Sequence, residues 1–86
     1  MAYVHLPPTL PPLFPGLPRK LELEARTVAD AVAQLEERWP GLRDRLLDRG
    51  AFRSHIKVFV QGERAGLDTP LEGDARVDVV AAISGG

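Results

Sequence analysis

Hydrophobic and polar residues alternate at every second position in several short segments, and this alternation predicts β-strands. Leu21 and Leu23 fall on one face of one segment, with glutamates between and after them. The clearest pattern places Ile56, Val58 and Val60 on one face, with Lys, Phe and Gln on the other. The predicted strands are residues 3–6, 20–25, 55–62 and 77–82. Each would be half-buried, with one face against a core.

A helical period of hydrophobic residues follows the second predicted strand. Thr27 is a favourable N-cap, and Asp30 in the first turn suits the positive end of the helix dipole. The helix should end near Trp39, because a residue that precedes proline avoids the α region. Residues 41–50 add one or two helical turns, with Gly50 as the stop. The predicted apolar stripe is Val28, Ala31, Val32, Leu35 and Trp39, and the charged face with Glu36, Glu37 and Arg38 is expected to be solvated.

This order of elements predicts an α+β fold, in which one main helix packs on one face of a mixed four- to five-stranded sheet. Residues 1–82 would form the domain, and residues 83–86 a flexible Gly-Gly tail. Six of the eight prolines lie between Pro7 and Pro18, interleaved with large apolar residues. We interpret this segment as a stiff loop that covers an open edge of the core. The alternative is a polyproline ligand for a partner domain.

Composition narrows the functional classes. The chain has 86 residues, a net charge of −1 and no cysteine, which disfavours nucleic acid and anionic membranes as partners and excludes thiol chemistry. No apolar run approaches the length of a membrane span, and no signal peptide is visible, so a cytoplasmic protein is expected. His5 and His55 are isolated in sequence, so neither a metal site nor a catalytic residue is predicted.

The C-terminal residues carry a more specific pattern. A Leu-Asp-Thr-Pro-Leu turn at residues 67–71 is followed by Gly73-Asp74, a last strand, and a terminal Gly85-Gly86. This arrangement resembles the MoaD/ThiS family of sulfur carriers, and the order of elements resembles the β-grasp fold of ubiquitin. The proline-containing connection after the first strand resembles the sulfur carriers of cysteine biosynthesis. Leu67, Pro70 and Leu71 themselves are expected to shape the turn and fill the open side of the core.

The resemblance implies a role and a set of partners. An activating enzyme would adenylate the carboxylate of Gly86 with ATP, and a sulfur donor would convert it to a thiocarboxylate. Ile83, Ser84 and Gly85 would enter the partner's active site with Gly86, and the two glycines suit a narrow tunnel because they carry no side chain. A sulfur-accepting synthase would then take the sulfur for cysteine, molybdopterin, thiazole or tRNA thiolation. The chain would be a monomeric protein substrate rather than an enzyme, with no permanently bound cofactor.

The outward face of the predicted sheet supplies a candidate docking patch. Phe59 and Val80 should point away from the helix, because their neighbours point towards it, and an exposed Phe beside an exposed Val would suit a partner. Two alternatives to the carrier remain open. The chain could be a ubiquitin-like protein modifier, or a plain β-grasp binding module that docks through this face without chemistry at the tail.

Overall fold

The computed structural model describes residues 1–82. Seven strands and two α-helices follow one another along the chain. Their bounds are β1 Ala2–His5, β2 Lys20–Leu23, α1 Val28–Arg38, α2 Leu42–Leu46, β3 Leu47–Asp48, β4 Ala51–Phe52, β5 Ile56–Val60, β6 Glu63–Arg64 and β7 Arg76–Ala81. No helix in this part of the chain is both long and apolar enough to cross a membrane.

Five strands form one mixed sheet in the order β2-β1-β7-β5-β6. The central strand β7 runs parallel to β1 and antiparallel to β5, while β2 and β6 form the two edges. The helix α1 covers one face, so the α+β fold with a mixed sheet and one main helix is confirmed. We call the opposite face, which carries Tyr3, His5, Lys57, Phe59 and Val80, the outer face.

The core lies between α1 and the inner face of the sheet. Val4, Val58 and Val77 come from the three central strands and are each at most 2% exposed. The stripe predicted on α1 faces them, with Val28 and Leu35 almost fully buried. The alternation predicted for β5 and β7 is correct in phase, because Ile56, Val58, Val77 and Val79 are all buried. These β-branched side chains fit a pleated surface.

The proline-rich segment covers an edge of this core, as predicted. Leu10 and Leu17 are buried, and Phe14 packs against the core from outside. One 3₁₀ turn, Pro11–Leu13, lies within the segment, and Leu13 is 50% exposed. The buried leucines give the segment a structural role, since they would have to leave the core for the whole segment to extend as a ligand.

Two predictions about the second half of the chain are wrong. Gly50 does not stop α2, which ends at Leu46; instead, Arg49 (φ 54°) and Gly50 (φ 78°) form the turn that joins β3 to β4. Positive φ at both central residues is the requirement of a type I′ hairpin turn, which glycine meets without strain. The short strand β6 was also missed, in a segment interpreted as turns only.

The Leu-Asp-Thr-Pro-Leu turn holds the start of α1. Thr27 caps the helix by accepting the Asp30 N–H at 3.1 Å. The next two N–H groups donate to the turn: that of Val28 to the carbonyl oxygen of Thr69 at 3.1 Å, and that of Ala29 to the carbonyl oxygen of Leu67 at 2.7 Å. These donors have no partner within a helix, so the turn satisfies them.

Leu71 at the end of that turn is buried against the core, and Leu67 is half-buried there, as the sequence predicted. Pro70 is exposed, so the prediction that it helps to fill the core is wrong.

One residue on the charged face of α1 is not simply solvated. The carboxylate of Glu36 accepts the N–H of Gly41 at 2.9 Å and that of Arg43 at 2.8 Å, where α2 begins. The hydrogen bond from Gly41, followed by that from Arg43, lowers the pKa of the Glu36 carboxyl from its ordinary value. Glu36 therefore joins the end of α1 to the start of α2, which corrects the prediction of a solvated side chain.

Candidate functional site

The end of β7 is the point from which residues 83–86 continue. Backbone pairing holds the chain up to that point, because Ala81 lies opposite Ile56 and the Ala82 N–H donates to the carbonyl oxygen of His55 at 2.6 Å. The predicted site residues Ile83, Ser84, Gly85 and Gly86 lie outside the described residues. We call this end of the sheet, where β7 finishes beside β5 and beyond its pairing with β1, the exit end.

A groove of about 530 Å³ lies beside the exit end, on the outer face. The start of the proline-rich segment forms one wall with Pro7 and Pro8, and β7 contributes Val80 and Ala81. Its lysine and arginine side chains are Arg19, which precedes β2, Lys20, at the start of β2, and Arg76, at the start of β7. The Nε of Arg19 donates to the carbonyl oxygen of Leu6 at 3.3 Å, which fixes one of these cations at the rim. The complete lining is His5, Leu6, Pro7, Pro8, Thr9, Arg19, Lys20, Arg76, Asp78, Val79, Val80 and Ala81.

The structure places both residues of the predicted docking patch on the outer face. Val80 is 44% exposed, as expected. Phe59 is half-buried rather than exposed, because the guanidinium of Arg64 lies over its ring at 5.9 Å from the centroid. In the strand register, Val80 lies opposite Lys57, and Phe59 lies opposite Asp78. The two apolar side chains are therefore diagonal neighbours with cations beside them.

An ionic cluster at the centre of the outer face was missed by the sequence reasoning. The Nε of Arg76 donates a hydrogen bond to Oδ2 of Asp78 at 3.0 Å. Oδ1 of Asp78 lies 3.4 Å from Nδ1 of His5. His5 is isolated in sequence, with no ligand spacing around it, and Asp78 lies 73 positions further along the chain. The parallel pairing of β1 with β7 brings His5 and Asp78 together. No local sequence pattern predicts that pairing.

This cluster orients the side chains around the middle of β7 and does not resemble a metal site. Within residues 1–82, no group of three or more His, Cys, Asp or Glu residues is placed to hold a metal ion. Asp78 and His5 are both about one-quarter exposed, at 26% and 28%, so water screens the pair. The features that the structure brings together at the exit end are thus a groove, an exposed valine and a set of cations.

The model of the ThiS family matches residues 13–86. Among curated proteins, no sequence matches significantly. A chain in the crystal structure of the Amycolatopsis orientalis BexX/CysO complex is similar, with a TM-score of 0.86, 23% identity and full coverage of both chains.

Two further crystal structures share the fold. Mycobacterium tuberculosis CysO, described as an antigen, has a TM-score of 0.84 and 21% identity over 96% of this chain and 100% of its own. SAMP1 from Haloferax volcanii has a TM-score of 0.69 and 24% identity over 99% of this chain and 98% of its own. Identities this low establish the β-grasp fold and nothing finer.

Proposed function

The chain belongs to the ThiS family, and from that premise we propose that it is a sulfur carrier activated at the carboxylate of Gly86. The observation that carries the proposal is the extent of the family match, which runs through the last strand to Gly86 itself. The match therefore includes the turn at residues 67–71, the central strand β7 and the terminal diglycine in one continuous segment.

The proposed chemistry takes place on the terminal carboxylate. A carboxylate oxygen of Gly86 attacks the α-phosphorus of ATP on an activating enzyme, which forms an acyl adenylate and releases pyrophosphate. A sulfur nucleophile then attacks the acyl carbon and AMP leaves, so that one oxygen is replaced by sulfur. The resulting thiocarboxylate is the donor for a sulfur-accepting synthase. This chain supplies the substrate atoms, and the partner enzymes supply the catalysis.

The geometry of the described residues supports a carrier. β7 is the central strand, paired with β1 at its start and with β5 as far as Ala81, so pairing with β5 holds the point from which residues 83–86 continue. Four residues extend for roughly 13 Å, which is enough to enter a partner's active site. Exposed Val80 and the groove beside it offer the partner a contact surface close to the same point.

The proposal extends to the pathway and the compartment. We favour cysteine biosynthesis, because the proline-rich segment between β1 and β2 resembles the corresponding segment of the carriers in that pathway. The reaction is assigned to the cytoplasm because its activating step consumes ATP. Molybdopterin, thiazole and tRNA thiolation are the other destinations for the sulfur, and gene neighbours would distinguish among them.

The test is the intact mass of the full chain after incubation with ATP, a sulfur donor and an extract of its source cells. We expect a gain equal to the exchange of one oxygen for sulfur. A variant that lacks Gly86 should show no gain while it retains the thermal stability of the parent chain, because the described core and sheet are built from residues up to Ala81.

This mass measurement, together with a binding assay on a variant that lacks both terminal glycines, separates the competing functions. No gain in mass, in an extract that converts an established family member, would overturn the carrier proposal. Retained binding of partners after deletion of both terminal glycines would instead favour a module that docks through its outer face. An increase in mass by a whole protein, linked through Gly86 to a lysine, would favour a protein modifier.

A further inference from the structure

One side of β7 is open at the exit end. β1 pairs with β7 only as far as His5 opposite Asp78, whereas β5 pairs with it through Ala81. Backbone groups of successive residues in a strand point to alternate sides, and the Ala82 N–H points to β5, where it donates to His55. The N–H and C=O groups of Ala81 therefore point to the side that β1 has left.

A proline ends the pairing between β1 and β7. The Tyr3 N–H donates to the carbonyl oxygen of Ala75 at 2.8 Å, so the same ladder, continued by four residues, would join residue 7 to Val79. Residue 7 is a proline, which has no N–H to donate. Within residues 1–82, the carbonyl oxygen of Val79 and the N–H of Ala81 consequently have no backbone partner.

The groove beside the exit end lies along this open side. Val79 and Ala81 line it, as do Pro7 and Pro8 at the start of the proline-rich segment. An extended peptide adds to a sheet by hydrogen bonding to unpaired backbone groups of a strand. The groove therefore offers a donor and an acceptor, next to apolar side chains, at a place where one further strand would fit the sheet.

The charges on the outer face and at the groove indicate the kind of peptide. Asp78 is already paired with Arg76 at 3.0 Å, while Arg19 and Lys20 take part in no ion pair within residues 1–82. The surface has a net charge of +3, although the whole chain has −1. Its charged side chains are Arg19, Lys20, Lys57, Arg64 and Arg76 against Glu22 and Asp78.

We propose that the groove binds an extended acidic segment of the partner protein that handles the sulfur. The segment lies along β7 as an added strand, accepts the N–H of Ala81 and donates to the carbonyl oxygen of Val79. Because side chains alternate along a strand, those on the outer face place carboxylates beside Arg19 and Lys20 and an apolar group beside Val80. The inference rests on the proposed function for the identity of the partner.

A nucleic acid or an anionic membrane fits this groove less well than a peptide. Phosphate oxygens would accept hydrogen bonds from Arg19 and Lys20, but they have no N–H to donate to the carbonyl oxygen of Val79. The apolar part of the lining, with Pro8 and Val80, would also be left uncovered. A peptide supplies the donor, the acceptor, the carboxylates and the apolar side chain together.

The first experiment is an NMR titration of the ¹⁵N-labelled full chain. The probe is the acetylated and amidated hexapeptide Glu-Asp-Val-Ile-Asp-Glu. We expect saturable amide shifts at residues 9, 19–20 and 79–82 with a Kd of about 0.1–1 mM, since a short segment buries little surface. Exchange of the Ala81 N–H with solvent should slow on binding. The same peptide with lysine at its acidic positions should not bind.

Charge reversal tests the two cations. The double variant Arg19→Glu/Lys20→Glu should bind the peptide at least about tenfold more weakly, because two attractive contacts become repulsive. The matched control, Arg26→Glu/Arg45→Glu, makes the same change in net charge at exposed residues away from the groove and should bind as the parent. Lys20→Glu alone keeps the hydrogen bond from Arg19 to Leu6 and should lose about threefold.

Two peptides methylated on alternate backbone nitrogens test the added strand. Only one edge of the peptide faces β7, so methylation on that edge should weaken binding about tenfold, while methylation on the other should have little effect. Equal affinities of the two peptides would overturn strand addition. Shifts spread over α1 and α2, no saturable shift, or equally tight binding of a single-stranded oligonucleotide at the same residues would overturn the inference as well.

The sulfur-transfer extract tests the identity of the partner. Arg19→Glu/Lys20→Glu should gain sulfur about tenfold more slowly than the parent, and the control double variant at the parent's rate. Equal rates would overturn the inference and leave the carrier proposal intact. If the parent itself gains no sulfur, the carrier proposal fails, and the peptide titration, which needs no activating enzyme, still decides whether the groove binds an acidic segment.

Discussion

The two ends of the sheet use their side chains in different ways. At the end where β7 begins, Leu71 is buried and the turn at residues 67–71 satisfies the first N–H groups of α1. At the exit end, Val80 is exposed and a groove stays open beside it. The first end stabilises the fold, while the second presents a surface and the continuing chain. Substitutions at the two ends should therefore separate stability from function.

The largest expected effect is on stability at the turn end. Leu71→Ala should lower the free energy of unfolding by about 2–5 kcal/mol, because it removes buried methyl groups and leaves a cavity. Val80→Ala at the exit end should change it by no more than about 0.5 kcal/mol, since the side chain is already exposed. Urea denaturation of the two variants measures both values. Similar losses at the two sites would contradict the division between the ends.

A smaller effect is expected from the hydroxyl of Thr69. Its Oγ1 accepts the Gly66 N–H at 2.9 Å and so closes the turn that caps α1. Thr69→Ala should lower the free energy of unfolding by about 1 kcal/mol. Thr69→Ser should lower it much less, because serine keeps the hydroxyl. If alanine and serine gave the same denaturation midpoint, the hydroxyl would have no part in holding the turn.

The smallest effect is a dependence on pH at the junction of α1 and α2. The hydrogen bonds from Gly41 and Arg43 lower the pKa of Glu36 in the folded chain, so the ionised form stabilises the fold at pH above its ordinary value of about 4.5. This stability is lost as the pH falls through the lowered value. Glu36→Gln should flatten the acid side of the stability profile.

Thermal denaturation between neutral pH and about pH 3 measures that profile. The matched control is Glu37→Gln, since Glu37 is exposed on the same helix and is not a hydrogen-bond partner of Gly41 or Arg43. A profile for Glu36→Gln as steep as that of the parent would contradict the role assigned to Glu36.

The main helix and the faces of the central strands could be predicted from the sequence because burial repeats at a fixed period. Val58 and Val79 point inward as their alternation required, and Thr27 caps α1 as its residue type suggested. Gly50 was misassigned because glycine ends helices and forms hairpin turns for the same reason, its tolerance of positive φ. A two-residue strand such as β6 is too short to show any period.

The candidate site was predictable only in part. The terminal diglycine can be identified directly in the sequence, but the residues around the exit end are brought together by strand pairing between distant segments. His5 meets Asp78 through parallel strands, and Arg64 reaches the ring of Phe59 from an edge strand that no pattern revealed. Strand register between distant segments has no local pattern in a single sequence. The position of Arg64 over the ring of Phe59 could therefore not be predicted.

The order of the sheet also bears on aggregation. A free strand edge is a template on which another molecule can add a strand. Here one edge is β6, two residues long and charged at both, and the other is β2, which exposes Lys20 and Glu22. Short and charged edges disfavour such pairing, so we expect the sheets of separate copies to resist edge-to-edge addition even in a concentrated solution.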